Sequence, residues 1–376
     1  MLSLYILYAV LTLVGVLFAW KLKFAFDHFK IKEQPVENIS LNDLPSVSVC
    51  VPARNEKNAM SQCLETIVAS TYPKLEVIVF DDSSADNTSF LIKSFARAGV
   101  RFVEGTHLSE GWLGKNQALQ TLLEESSGDY ILYMDVDTHI RPHTITKLVS
   151  YIKQQNVSMV SVLPSREDGI RPSVMLGTLR YFWTLILHSK SSPAVSSGAW
   201  MIDRNKLLNE LGGITSYKSL VQPELAIASK LIQTNQYRFL MSDKSIGVTY
   251  EKKWSSQIDT SVRIMYPVLG KGWKLYASII GLLVLNTPTL AMFAGLIEGW
   301  SLVQVIALWQ ICIYVAIYAL YLSKVWGKGW WLGALLWPYI IAQELVVVFM
   351  SIDQHLRKVV SWKGRPITAT YHLRED

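Results

Sequence analysis

The chain has 376 residues, half of them hydrophobic and only 18% charged, with a mean hydropathy of +0.24; this balance argues against an ordinary soluble protein. Thirty-six Lys and Arg stand against thirty Asp and Glu, a net charge of +6 with pI near 9.0. No basic stripe with interleaved aromatics accompanies that excess, so nucleic acid is not expected as a partner, whereas anionic lipid head groups are.

In chain order, Leu2–Trp20 carries no charge and is followed by Lys21, Lys23, Lys30 and Lys32. With no basic n-region and no small-residue cleavage site, residues 1–22 read as an uncleaved transmembrane anchor. The lysines after it predict an external N-terminus and a cytoplasmic domain behind the anchor.

Residues 45–255 then alternate between strand and helix patterns. SVSVCVP (46–52) is a short β-rich run, and Met60, Leu64, Ile67 and Val68 give 58–70 a helical face. LEVIVFDD (75–82) is a buried strand, SSADNT a turn or cap cluster, and a helix runs to about Ala98. Val100–Glu104 reads as strand, Gly114–Glu125 as helix and Tyr130–Met134 as strand. This alternation predicts an α/β domain with a mostly parallel sheet and right-handed crossovers. The polar clusters PARNE (52–56), DDSSADNT (81–88) and DVD (135–137) all fall at carboxyl ends of strands, where ligands sit on such sheets. Neither GxGxxG nor GxxxxGK[ST] is present, so no Rossmann fingerprint or P-loop is indicated.

The clusters carry chemistry of a definite kind. A turn after Met134 would let Asp135 and Asp137 converge on Mg²⁺ or Mn²⁺, hard cations that take one or two carboxylates beside phosphate oxygens; otherwise they are two acids on a solvated turn. Asp82 can accept hydrogen bonds from a base or ribose, while Ser84 and Asp86 are explained by capping. Arg54 and Glu56 suit a turn and cap, and Arg54 also offers a fork of donors for phosphate. Lys115 stands at the start of a helix, where a cation is unfavourable unless an anion binds as well, which suggests a diphosphate. His139 is expected to be a surface or core residue. Cys50, Cys63 and Cys312 show no metal spacing and are expected to pack.

Beyond residue 255, 256–274 reads as an interfacial segment with the aromatics Trp254, Trp273 and Tyr276 close by. Leu275–Ile297 and Gly299–Leu322 are uncharged, and Trp331–Met350 holds only Glu344, so 275–350 is expected to supply the C-terminal membrane helices. A full crossing by 331–350 would leave Arg357, Lys358, Lys363 and Arg365 outside. Pro338, Gln343 and Glu344 also suit lipid poorly. That segment is therefore predicted to be re-entrant or interfacial, with the tail, 351–376, cytoplasmic.

The ordered motifs VPARNE, VIVFDDSSADNT, GWLGKNQAL and YMDVDT resemble the nucleotide-sugar domain of family 2 glycosyltransferases, which have the GT-A fold. Within that family the chain is most similar to bacterial membrane enzymes that glycosylate lipids, including those acting on a carotenoid carboxylate; ceramide and hopanoid enzymes are more distant. SSGAWMIDR (196–204) resembles the family's small-residue segment beside the sugar, RIMY…GW (263–266, 272–273) a pair preceding the membrane helices, and WKGR (362–365) a terminal element.

The resemblance implies that Asp82 meets the base, Asp135 the ribose or metal environment, Asp137 the metal and Lys115 the diphosphate. It places Gly198, Ala199, Arg263 and Trp273 on the acceptor side. VQPELAIASKL (221–231) carries Glu224 where the family often has a general base, although Pro223 and Glu224 also make an ordinary helix start. The QxxRW motif of processive synthases is absent, which implies transfer of a single sugar. The implied reaction is an inverting, metal-dependent transfer of one hexose from a nucleotide sugar, UDP-hexose by expectation, to a membrane lipid. The acceptor would be a carotenoid or terpenoid acid or a lipid hydroxyl. Rival readings are a polyprenyl-phosphate glycosyltransferase and a silent nucleotide-sugar-binding membrane protein.

Overall fold

A computed structural model describes residues 2–31, 44–167, 169–270 and 272–367; Lys32 and the tail beyond 367 lie outside them. Helix α1 (Leu2–Phe29) comes first. Then follow β1 (Val47–Ala53), α2 (Met60–Val68), β2 (Leu75–Asp81), α3 (Thr88–Ser94), β3 (Val100–Glu104), α4 (Gly114–Glu125), β4 (Tyr130–Met134), β5 (Thr138–Ile140) and α5 (Thr144–Gln155). The domain continues through β6 (Met159–Leu163), α6 (Pro172–Met175), α7 (Arg180–Leu187), β7 (Ala199–Asp203), α8 (Pro223–Leu231), β8 (Tyr237–Met241) and β9 (Val248–Tyr250). The C-terminal part is α9 (Trp254–Leu269), α10 (Trp273–Glu298), α11 (Leu302–Val325), α12 (Trp330–Leu335), α13 (Trp337–Leu356), β10 (Ser361–Trp362) and β11 (Arg365–Pro366).

Seven strands form one sheet in the order β3-β2-β1-β4-β7-β6-β8. Only β7 runs against its neighbours β4 and β6, so the mostly parallel α/β sheet expected from the sequence is present. Both faces are covered, which explains the near-continuous apolar runs. Val49, Val51, Val77 and Val79 pack with Leu64 of α2, Ile92 of α3 and Leu148 of α5. Cys50, Ile78, Ile131 and Tyr133 face the other way, onto Leu119 and Leu122 of α4. That second layer is continuous with the long apolar helices α1, α10 and α11.

Register sets the site. Ala53 pairs with Asp81 and Cys50 with Tyr133, so Arg54, Asp82 and Asp135 all project beyond the same edge. The antiparallel pair Met134–Ala199 brings the start of β7 to the end of β4. One local difference from the sequence reading concerns Ser84, which does not cap α3. Its hydroxyl donates to Asp81 and accepts from the Asn55 amide at 2.8 Å, tying the β1 and β2 loops together. Asp86 accepts from the Thr88 amide at 3.0 Å.

Among the described residues three helices, α1, α10 and α11, are long and apolar enough to cross a membrane. Polar contacts join α1 to α11: Gln310 Nε2 donates to Tyr8 O at 2.9 Å and Tyr314 OH to Leu11 O at 2.8 Å. The segment 331–350 is broken at Leu336 between α12 and α13. Its polar residues face protein: Glu344 accepts from the Leu179 amide at 2.7 Å, and Gln343 links Leu176 O (3.1 Å) to the Trp254 indole (3.0 Å). The sheet domain is also hydrogen-bonded to the end of α11, where the Arg166 amide donates to Val325 O at 2.9 Å and the Gly327 amide donates to Arg166 O at 3.1 Å.

Candidate active site

The DVD turn is fastened on both sides. The Asp135 amide donates to Gly198 O, the Thr138 amide to Asp135 O and the Glu251 amide to Asp137 O, each at 3.0 Å. A Cβ at Gly198 would lie 3.2 Å from Thr138 Oγ1 and 3.4 Å from Pro164 Cγ, so a small residue there lets β7 close on the turn. Ala199 is buried in β7.

Asp135 and Asp137 line the same cavity of about 60 Å³. Lys115 Nζ meets Asp135 Oδ1 at 2.5 Å, and Lys252 Nζ meets Asp137 Oδ2 at 3.1 Å. The helix-start conflict at Lys115 is thus relieved by a carboxylate. Burial raises the Asp135 carboxyl, but Lys115 and then Lys252 outweigh it and hold it below the usual range. Arg180 and Arg263 complete the basic wall. Burial first, and Arg180 next, bring the Arg263 guanidinium down to about 10, which leaves it charged at neutral pH.

Glu224 sits in the first turn of α8 behind Pro223, 3% exposed and outside the cavity wall. Burial raises its carboxyl, opposed first by Lys115. Asp82, also 3% exposed, pairs with Arg365 at 2.8 Å and with Arg54 at 3.8 Å. The donors of Arg54 go to the carbonyls of Asp82, Ser83 (3.3 Å) and Lys363 (3.1 Å), so its fork is engaged by main chain. Glu56 meets Lys363 at 2.9 Å. Trp273, expected on the acceptor side, is 74% exposed at the start of α10 and does not line the cavity. His139 is buried in β5, outside the cavity wall, as a core residue.

A second cavity of about 40 Å³ shares Pro164, Thr178, Tyr181, Tyr250 and Gln257 with the first and continues to Tyr318, Tyr321 and Trp326 beside α11. The sequence reading passed over Lys252 and Arg180. A signal existed for Arg180: it opens α7, where a cation meets the positive end of the helix, the conflict recognised at Lys115. Lys252 had none, because only the β5–β9 pairing carries it to Asp137.

The donor set suits a divalent cation in part. Two hard carboxylates on one cavity are what Mg²⁺ or Mn²⁺ uses when phosphates and water supply the remaining oxygens, and no cluster of three or more His, Cys, Asp or Glu occurs among the described residues.

Residues 48–207 match the family described as glycosyl transferase family 2. The chain is 33% identical over 129 residues to an N-acetylglucosaminyltransferase of Rhizobium leguminosarum bv. viciae, covering 34% of this chain and 30% of the relative. It is 28% identical over 123 residues to a 4,4'-diaponeurosporenoate glycosyltransferase of Staphylococcus haemolyticus, covering 32% of each. The matched segment thus spans about a third of the length of these relatives. In structure the chain is similar to a mannosyltransferase of Pyrobaculum calidifontis in complex with GDP-Man and Mn2+, with TM-score 0.59 and 19% identity over 94% of this chain and 99% of that one. At that identity the likeness speaks for the fold, which is of GT-A type. With that fold, that match and the strand-end acids in place, residues 48–207 are similar to the family 2 glycosyltransferases.

Proposed function

We propose that the protein transfers one hexose from a nucleoside-diphosphate sugar to an acidic oxygen, carboxylate or phosphate, of a membrane lipid. One observation carries the acceptor class. The cavity holds Lys115, Arg180, Lys252 and Arg263 against Asp135 and Asp137 only. The two lysines are matched by the two aspartates, and Arg180 and Arg263, with Glu224 and Asp259 nearby but outside the cavity wall, face incoming anions. Arg is the residue suited to such oxyanions.

In this mechanism the donor's diphosphate lies against Lys115, with Asp135 and Asp137 as the residues that would hold Mg²⁺ or Mn²⁺. When bound, that cation supplies charge neutralisation on the departing diphosphate. Arg180 and Arg263 orient the acceptor anion on the opposite face of the sugar. A bond forms from its oxygen to the anomeric carbon, and the bond from that carbon to the diphosphate oxygen breaks, its electron pair leaving with the nucleotide. The configuration inverts. An acceptor already ionised needs no general base, which agrees with Glu224 standing outside the cavity wall. Helices α1, α10 and α11 would hold the domain at a cell membrane, on its cytoplasmic face by the lysine bias.

The test incubates membranes containing the protein with Mn²⁺ and radiolabelled UDP- or GDP-hexoses, followed by mass spectrometry of the lipid extract. A labelled lipid whose sugar is released by mild alkali (acyl ester) or mild acid (phosphodiester) is expected. A product stable to both would put the sugar on a hydroxyl and overturn the acceptor class. Lipid labelling by none of the donors would overturn the reaction.

A further inference from the structure

The strands β10 and β11 form a minimal hairpin whose turn residues Lys363 and Gly364 both have positive φ, +50° and +83°. Distant in sequence, it lies over the carboxyl ends of β1 and β2. Lys363 Nζ pairs with Glu56 at 2.9 Å, Lys363 O accepts from Arg54 Nε at 3.1 Å, and Arg365 Nη2 meets Asp82 Oδ1 at 2.8 Å. A Cβ placed on Gly114 would stand 3.3 Å from Asp82 Oδ2, 3.4 Å from Trp362 Cζ3 and 3.5 Å from Arg365 Cδ. Trp362, Arg365 and Asp82 therefore converge on the start of α4, one residue from Lys115.

The two oxygens of Asp82 are unequal. Oδ1 takes Arg365, whereas Oδ2 is buried with Arg54 Nη1 at 3.8 Å and accepts no hydrogen bond. A buried acceptor left unmatched is costly, and a ligand N–H would relieve it.

We propose that the 361–366 hairpin is a wall of the donor's nucleoside site. In it Arg365 is a positioning residue that fixes the Asp82 carboxylate so that its second oxygen accepts an N–H of the nucleobase. This rests on the nucleotide-sugar reading above. The division of labour follows from geometry: Arg365 holds Oδ1, and the base takes Oδ2 once the side chains that bury that oxygen move aside. Lys363 and the Arg54–Lys363 bond pin the turn, and Trp362 covers the start of α4.

The charged groups facing Asp82 are Arg54 from the loop after β1, its neighbour Asp81 in β2 and Arg365 from β11. Burial raises the Asp82 carboxyl, and Arg365 is the strongest influence opposing it, followed by Arg54. With Arg365 gone, Arg54 alone at 3.8 Å opposes burial. The carboxyl then protonates at higher pH, and a protonated Asp82 is a poorer acceptor. Binding of the nucleotide must fail earlier on acidification.

The test titrates UDP and GDP into the full-length protein in detergent by calorimetry, across about pH 5 to 8. Wild type is expected to bind one of them. Arg365→Ala should raise its Kd at least about tenfold at the acid end, less at the alkaline end, with the acid limb moved to higher pH. Arg365→Lys should restore part of the loss, and an unchanged melting temperature excludes misfolding. A wild-type Kd and pH profile in Arg365→Ala, or a loss equal at every pH, would overturn the inference while leaving the donor reading intact. Wild-type protein that binds neither nucleotide would bring down both.

Discussion

Asn116 follows Lys115 in α4 and is 1% exposed, and its side-chain amide is an interlock between the two halves of the site. Nδ2 faces three main-chain oxygens, Tyr217 O at 3.1 Å, Lys218 O at 3.0 Å and Leu220 O at 2.8 Å. That loop leads directly into Pro223 and Glu224. Asn116→Ala removes two N–H donors; Tyr217 O and Lys218 O keep the amides of Leu220 and Leu113, while Leu220 O loses its side-chain donor, a loss of about 1–3 kcal/mol. For a domain of this size that corresponds to a fall in melting temperature of about 2–12 °C. Asn116→Asp should be worse than alanine, because a carboxylate would face three carbonyl oxygens. Differential scanning fluorimetry of the detergent-solubilised protein checks the order Asn above Ala above Asp. An aspartate variant as stable as wild type would refute the interlock.

Three further outcomes are expected. Asp137→Ala should abolish transfer, measured as labelled lipid, yet leave the melting temperature within about 4 °C, because its pairing with Lys252 is partly exposed and worth at most about 1 kcal/mol; retained transfer would remove Asp137 from the site. Glu224→Gln should lower kcat less than about tenfold, whereas a general base contributes about a hundredfold or more. Should Glu224 act as base after all, the rate in wild type would rise with pH through its raised pKa, and that limb would vanish in the glutamine variant. Gly105→Ala should weaken nucleotide binding at least about tenfold, since its Cβ would come within 2.5 Å of Asp81 O and 2.9 Å of Asp82 Cα, main-chain atoms that must shift; an unchanged Kd would show that Asp82 tolerates displacement.

Local patterns made the nucleotide-side half of the domain readable. Strands such as VIVF and YILYM are buried on both faces, so their apolar runs end where burial ends, and the polar residues beyond them mark the site edge. Lys115 announced itself by standing at the wrong end of a helix dipole. What sequence could not convey was pairing over long separations. Nothing around Lys252 points to Asp137, and nothing in the WKGR tail shows that its Lys and Arg neutralise Glu56 and Asp82 some 280 to 310 positions earlier. Arg54 illustrates the same limit from the other side: its fork suits phosphate in isolation, but local carbonyls claim it. Trp273, which the resemblance places on the acceptor side, is exposed at the start of α10 and stands outside the cavity wall.

Under the proposed lipid-acceptor reading, the amide bridges between Arg166 and the end of α11 bear on which lipids would react. A catalytic head on a loose tether could bob to meet nucleophiles at many depths; one stapled main chain to main chain onto a spanning helix cannot. With a membrane lipid as acceptor, as proposed, its reacting centre would ride at a constant altitude over the hydrocarbon, and an acceptor would be accepted or refused by how far its oxygen protrudes from the leaflet. Chain length buried below that plane would then matter little, while one extra spacer atom above it would matter a great deal.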